Sequence, residues 1–296
     1  MVRIPSCSFS GIGKAICSKL LTDYDDTVVF LGSRDASRGQ QAVQDLVATC
    51  GEKVTNRLHY IPLDTSSNDS VTAAAQHVQE ILQKQKIPAL YGICNNAGVL
   101  GAGTVPELIN VNFFGPQRVN NAFAPLMTQE KEPQGRIVNI ASGGAPNFVQ
   151  NCQPDDATWR DYLTAPWTIP DGIPKLNKMV QQMAQQTDKH ESYGRLRMYG
   201  FSKAALNAYT WWLAHEHPQW LINSVSPGWI QTEMTVGQGA SKSPEEGAIP
   251  PVYLLMSPDI ATQPAQGRYY GSDCQRSPMH TYRDPGEAPY DGPDGP

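Results

Sequence analysis

The chain has 296 residues, 40% of them apolar and only 17% charged, with a net charge of −5. This composition supplies a sizeable core and excludes full disorder, a basic nucleic-acid surface spanning the molecule and a polybasic membrane patch. No run approaches the roughly 20 apolar residues of a membrane helix, Met1 to Phe9 holds no apolar signal segment, and the six cysteines form no CxxC pair, so the chain reads as an intracellular protein with reduced thiols.

In chain order, Val2-Arg3-Ile4-Pro5 would be a first strand. Pro5 removes a donor and Arg3 would face one covered side of a sheet, so a truncated or poorly formed strand is expected. Gly11-Ile12-Gly13 then opens a helix marked by Ile12, Ile16 and Leu20. Thr27–Leu31 and Leu58–Leu63 are strand-like runs. Ser66-Ser67-Asn68 is a capping signal for a helix carrying Val71, Ala74, Val78 and Ile81–Leu82. Leu90–Cys94 and Arg136–Ala141 are further strands. Residues 143–198 contain no strand-like run but hold five prolines and a Gln-rich helical stretch, Leu176 to Gln186, which predicts a helical insertion. Asn207 to His217 reads as a helix ended by Pro218, followed by the strand Trp220–Val225. Near-continuous apolar runs alternating with helices predict a doubly wound parallel α/β sheet of Rossmann type. It forms one domain over 1–276, and 277–296, with five prolines and three glycines, reads as a disordered or loosely attached tail.

Several strings carry chemistry. Gly11-Ile12-Gly13 is either a plain turn or a place where backbone approaches a pyrophosphate at a helix N-terminus. Arg34 and Arg38, after the second strand, are either two surface arginines or a pair converging on a ribose 2′-phosphate. Asn95-Asn96-Ala97-Gly98 follows a strand and reads as a turn or as a cofactor contact. Tyr199 and Lys203 share a helix face at i, i+4, where an ammonium lowers a phenol's pKa and makes it a usable acid or base near pH 7. Ser142 ends a strand, and its hydroxyl can polarise a carbonyl oxygen. Pro227-Gly228-Trp229 is a tight turn or a loop bordering a nicotinamide. His215 and His217, at i, i+2, point to different faces and argue against a metal site.

Taken in order, these strings resemble the short-chain dehydrogenase/reductase family over about residues 6–275. The set is Gly-Ile-Gly13, Asn-Asn-Ala-Gly98, Asn110-Val-Asn112-Phe-Phe-Gly115, Ile-Val-Asn-Ile-Ala-Ser142, Tyr199-x-x-Ser-Lys203 and Ser-Pro-Gly-Trp-Ile-Gln-Thr232. Ser142 and Tyr199 stand 57 positions apart (199 − 142), against roughly a dozen in most of the family. That gap resembles the carbonyl reductase branch, as do Arg34-Asp35-x-x-Arg38-Gly39-Gln40 and Ser243-Pro-Glu-Glu-Gly247.

The resemblance implies NADP(H) as cofactor and hydride transfer from NADPH to an aldehyde, ketone or quinone, with Tyr199 as proton donor. Lys203 would lower the Tyr199 pKa and hold the ribose, Ser142 would bind the substrate oxygen, and Asn112 would anchor a relay water. Gly11, Ile12 and Gly13 would cradle the pyrophosphate, and Asp64 would contact the adenine. Asn95 would lie near the adenine ribose, with Ala97 and Gly98 also on the cofactor. Pro227, Gly228 and Thr232 would line the nicotinamide amide, and Trp229 the substrate pocket. It further implies a cytoplasmic monomer acting on a small-molecule carbonyl substrate, with no metal, nucleic-acid or membrane partner. The chain departs from the family pattern at Ser6-Cys7, where Thr-Gly is usual, and at Ser10, where NADP-preferring members often carry a basic residue. These departures predict weakened cofactor affinity and leave a binding-only family member as the alternative.

Overall fold

A computed structural model describes residues 2–6, 11–100, 103–130, 134–152, 157–164, 171–262 and 266–292. The apolar runs form β1 (Val2–Ser6), β2 (Val28–Ser33), β3 (Leu58–Pro62), β4 (Gly92–Asn95), β5 (Arg136–Ile140) and β6 (Leu221–Val225), followed by the short β7 (Tyr269–Tyr270) and β8 (Arg276–Ser277). The sheet order is β3-β2-β1-β4-β5-β6-β7-β8. All pairs are parallel except β7 with β8. Strand order reverses between β1 and β4, which opens a crevice at their carboxyl ends, where open α/β sheets bind ligands.

The helices are α1 (Gly11–Asp23), α2 (Ala36–Cys50), α3 (Asn68–Lys84), α4 (Val105–Ile109), α5 (Gly115–Phe123), α6 (Gly144–Gln150), α7 (Ala157–Thr164), α8 (Gly172–Gln185), α9 (Thr187–Glu216), α10 (Pro244–Met256) and α11 (Pro258–Ala261). Strand alternation splits the core into two layers. Val138 and Leu31 pack with Ile16, Leu20, Leu46 and Leu255 of α1, α2 and α10. Ile137 and Ile222 pack with Val78, Phe123 and Leu206 of α3, α5 and α9. The side-chain oxygen of Asp35 caps α2 and that of Ser67 caps α3, each satisfying one of the free N–H groups at the helix start.

Three expectations change. The first strand is present and central: Val2 and Arg3 register with Val28 and Val29, and Arg3 to Ser6 register with Gly92 to Asn95. One proline costs one donor, whereas β4 pairs along Arg3 to Ser6 and β2 along Val2 and Arg3. The described parts of the insertion at 143–198 are helical, comprising α6, α7, α8 and the start of α9, but the helix expected to open at Tyr199 begins already at Thr187 and bends at Gly194 (φ 68°, ψ 169°). The tail differs most. Residues 277–292 are seated on the body, with Arg283 only 9% exposed and the Tyr290 N–H donating to the Arg276 carbonyl at 2.9 Å. Residues 293–296 lie outside the described residues. Among the described residues no helix is long and apolar enough to cross a membrane.

Candidate active site

α9 packs against β5 and β6 and carries Tyr199, Ser202 and Lys203 within three turns of its bend. Lys203 is 3% exposed, and its Nζ donates to the Ile140 carbonyl at the end of β5, at 2.8 Å. The same Nζ stands 5.8 Å from the centroid of the Tyr199 ring. Burial lowers the Lys203 ammonium to about 8, because desolvation disfavours the charged form. Burial also raises the Tyr199 phenol, and the hydroxyl of Ser142, hydrogen-bonded to it, pulls it partly back. The expected lowering by Lys203 is not among the causes of this shift, of which burial is the largest.

Asn112 lies in a five-residue π-helical turn, Asn110–Phe114, between α4 and α5. Such a turn breaks the regular ladder and often marks a functional position. Its Nδ2 donates to the Val99 carbonyl at 2.9 Å and to Ser202 Oγ at 3.1 Å, and its Oδ1 accepts from the Val99 N–H at 2.8 Å. Ser202 Oγ in turn donates to the Tyr199 carbonyl at 2.7 Å. A Cβ on Gly98 would stand 3.4 Å from both Asn112 Oδ1 and Lys203 Nζ. Asn112, Lys203, Tyr199 and Ser142 thus form one connected group.

Two cavities meet there. One, of about 510 Å³, is lined by Gly11, Ile12, Asn96, Gly98, Lys203, Pro227 and Thr232. The other, of about 580 Å³, is lined by Phe148, Leu196, Arg197, Tyr269, Tyr282 and Arg283. Leu100, Ser142, Tyr199, Gly228 and Trp229 border both. At the mouth Trp229 is 45% exposed.

Other expected residues are placed differently. Gly13 is buried inside α1, and neither it nor the partly exposed Ala97 lines either of these two cavities. Asn95, read as a cofactor contact, is 2% exposed, and its Nδ2 donates at 2.8 Å to both Asn120 Oδ1 and Asn139 Oδ1. Its Nδ2 thereby ties β4 to β5 and α5, while its Oδ1 is buried with no hydrogen-bond partner among the described residues. Arg34 and Arg38 are exposed beyond β2. Asp64, beyond β3, accepts from the Ser66 N–H and hydroxyl at 2.9 and 2.6 Å. These three line the sheet's carboxyl edge outside both cavities. Of the atypical loop, Cys7 to Ser10 lie outside the described residues.

Sequence reading assigned no role to Ser202, Ser226, Tyr269 and Tyr282. Ser202 was inside the Tyr-x-x-Ser-Lys string. Ser226, at the start of the Ser-Pro-Gly-Trp string, accepts at Oγ from the Gly143 and Gly228 N–H groups at 3.1 and 3.4 Å and hydrogen-bonds the buried Tyr269 hydroxyl, and the partners Gly143 and Tyr269 are remote in the chain. Among the described residues no group of three or more His, Cys, Asp or Glu could hold a metal.

The family model for short chain dehydrogenases matches residues 7–152. (+)-Neomenthol dehydrogenase of Arabidopsis thaliana is 31% identical over 276 residues, spanning 85% of this chain and 90% of that protein. Carbonyl reductase (NADPH) 3 of Mus musculus is 31% identical over 268 residues, spanning 86% and 90%. Among solved structures, salutaridine reductase from Papaver somniferum superposes with a TM-score of 0.75 at 23% identity, covering 91% of this chain and 99% of that one. The family-model match and this similarity over most of both chains make the chain a member of the short-chain dehydrogenase/reductase family.

Proposed function

We propose that the protein is an NADPH-dependent carbonyl reductase that converts an aldehyde, ketone or quinone to its alcohol, with Tyr199 as proton donor. The observation that carries this reading is the junction of two cavities at the hydrogen-bonded hydroxyls of Ser142 and Tyr199, with the buried Lys203 one turn behind. The relatives named for carbonyl reduction and NADPH support it.

The residues of the 510 Å³ cavity fit a dinucleotide. Gly11 has φ +60°, and a Cβ there would meet Thr232 Cγ2 at 3.0 Å, so the backbone at the start of α1 stays bare for close approach. Lys203 spends one of its three N–H donors on Ile140, leaving two for a ribose hydroxyl. Arg34 and Arg38 supply cationic donors for a 2′-phosphate. When bound, NADPH supplies the hydride.

The protein supplies the proton and the geometry. Because burial raises the Tyr199 phenol, the group holds its proton at neutral pH and can donate it to the carbonyl oxygen. Ser142 hydrogen-bonds that oxygen and fixes it against the phenol. Lys203, cationic below about 8, stabilises the phenolate that donation leaves. Asn112 holds Val99 and Ser202, and through Ser202 the Tyr199 backbone, in register. In this reading the insertion and its α8 cover α9, and the chain acts as a cytoplasmic monomer on small molecules.

The test is a titration of the purified chain with NADPH and NADH by calorimetry, followed by turnover with 9,10-phenanthrenequinone. Micromolar NADPH binding, at least tenfold tighter than NADH, with quinone-dependent NADPH oxidation is expected. A folded chain that binds neither dinucleotide would leave the binding-only reading standing.

A further inference from the structure

We propose that Tyr282, carried on the C-terminal strap of residues 278–292, is a specificity-determining residue that admits substrates by the size of the body attached to the carbonyl. The proposal rests on the carbonyl reductase reading of the site.

The strap is held to the body by polar contacts at several points. Arg283 Nε donates to Ser277 Oγ at 3.0 Å, and its Nη1 donates to the carbonyls of Glu287 and Asp284 at 2.7 and 3.2 Å. Its Nη2 pairs with Asp273, whose second oxygen accepts the Gly286 N–H at 2.9 Å. Arg276 Nη2 donates to the Gly292 carbonyl at 2.6 Å, and its guanidinium lies 4.8 Å from the Tyr290 ring centroid. The Tyr282 N–H donates to Gln150 Oε1 of α6 at 3.1 Å. These bonds fix the backbone on both sides of Tyr282.

The ring itself is held where it gains little from the fold. It is 39% exposed, lines the 580 Å³ cavity and covers Gly143, the residue after Ser142. A Cβ on Gly143 would stand 2.8 Å from Tyr282 Cε2. The Gly143 backbone is ordinary right-handed helical, φ −58°, so glycine is needed there for the ring's space and not for its conformation. Around the same opening, Trp229 on the loop after β6 and Leu196 on α9 are 45% and 68% exposed. Three large apolar side chains from three distant segments therefore frame one mouth, which suits an apolar body that extends beyond the carbonyl. A tyrosine with a fixed backbone loses little freedom when a ligand covers it. A compact aldehyde bound at Ser142 and Tyr199 would not reach it.

The test uses butanal as the compact probe and 9,10-phenanthrenequinone as the wide one. Steady-state kinetics are run on the native chain, Tyr282→Ala, Tyr282→Phe, Gly143→Ala and the Gly143→Ala/Tyr282→Ala pair. For the quinone, Tyr282→Ala should raise KM about fivefold, the scale of one lost aromatic contact, with kcat unchanged. Tyr282→Phe should restore it, and KM for butanal should not move. Gly143→Ala should reproduce the quinone effect by displacing the ring and add nothing in the Tyr282→Ala background. Equal effects on both probes, failure of Phe to restore, or additive effects of the pair overturn the proposal. If the native chain turns over neither probe, the carbonyl reductase reading fails. The proposal is then decided by calorimetric binding of the quinone, and no binding, or equal binding to native and Tyr282→Ala chains, overturns it. Thermal melts identify any variant that fails to fold, and the partly exposed Tyr282 is the safer of the two sites.

Discussion

The side of the cleft around Gly11, Gly98, Lys203 and Thr232 is built from strand ends, helix starts and short loops of the sheet itself. The side around Phe148, Tyr269 and Tyr282 is built from a helical insertion, a two-residue strand and a strap held by arginine hydrogen bonds. The first side places backbone close to a ligand, so its residues are small and come in short strings. The second places large side chains from segments scattered along the chain, with Phe148 more than 100 positions before Tyr269 and Tyr282, so its residues form no string at all. A fold built this way can keep its chemistry while its substrate wall changes.

The two sides share Ser142 and Tyr199, and the largest expected effect lies there. Tyr199→Phe removes one hydroxyl and leaves the ring that borders both cavities. It should lower kcat by about 10²- to 10⁴-fold, the usual contribution of a positioned acid, with NADPH affinity changed less than twofold. Retained turnover in a stopped-flow assay would place the proton donor elsewhere and dissolve the junction between the two sides.

Lys203→Met separates the cost of the first side from its use. The Lys203 ammonium titrates at about 8 in the fold and near 10.4 in an unfolded chain, so folding disfavours its charge by about 3 kcal/mol. That penalty is complete below about pH 8 and fades as pH rises toward the unfolded value. Met removes it but leaves the Ile140 carbonyl without its donor, which returns about 1–2 kcal/mol. The variant should therefore be inactive yet melt a few degrees higher than the native chain at pH 7. The difference should narrow between pH 8 and 10.5 in pH-stepped melts. A variant less stable at pH 7 would mean that Lys203 is structural.

The same contrast decides what could be read from the sequence. β2 to β6 were legible because strands covered on both faces are near-continuous apolar runs. β1 was not, because Pro5 and Arg3 count against a strand locally, whereas the pairing with Val28 and Gly92 that forms it is remote. Asn95 was read as a ligand contact, since its partners Asn120 and Asn139 lie 25 and 44 positions away. The Tyr199–Lys203 spacing was visible, but the burial that raises the phenol is not encoded in spacing. The strap was read as loose because apolar content was the criterion. It is held instead by the guanidinium groups of Arg276 and Arg283 on backbone carbonyls.

Gly11→Ala addresses the first side alone. A Cβ at φ +60° costs about 1–2 kcal/mol and would press on Thr232 Cγ2 at 3.0 Å. NADPH affinity should fall about tenfold by fluorescence titration, while KM for a carbonyl substrate at saturating NADPH stays unchanged. A matching change in substrate KM would mean that the two sides move together.

The smallest expected effect, and the sharpest test of independence, is Asp273→Asn at the anchor of the strap, between β7 and β8. Burial tends to raise the Asp273 carboxyl, but the Arg283 guanidinium and the Gly286 and Gln275 N–H groups outweigh it and hold the group below its usual range. A carboxyl lowered in the fold contributes stability that is fully present above its unfolded value, about 3.9. That contribution is lost as pH falls through the folded value. In the native chain the strap should therefore stay protected from hydrogen exchange down to about pH 4 and loosen below it. Asn keeps the shape but not the charge, so Asp273→Asn should lose about 1–2 kcal/mol of strap protection at pH 6 and show little further loss in acid. Because Arg283 pairs outside the sheet, NADPH affinity should be unchanged. If the variant weakens NADPH binding as much as it loosens the strap, the two sides of the cleft are one cooperative unit, and their separate construction in the chain has no counterpart in their energetics.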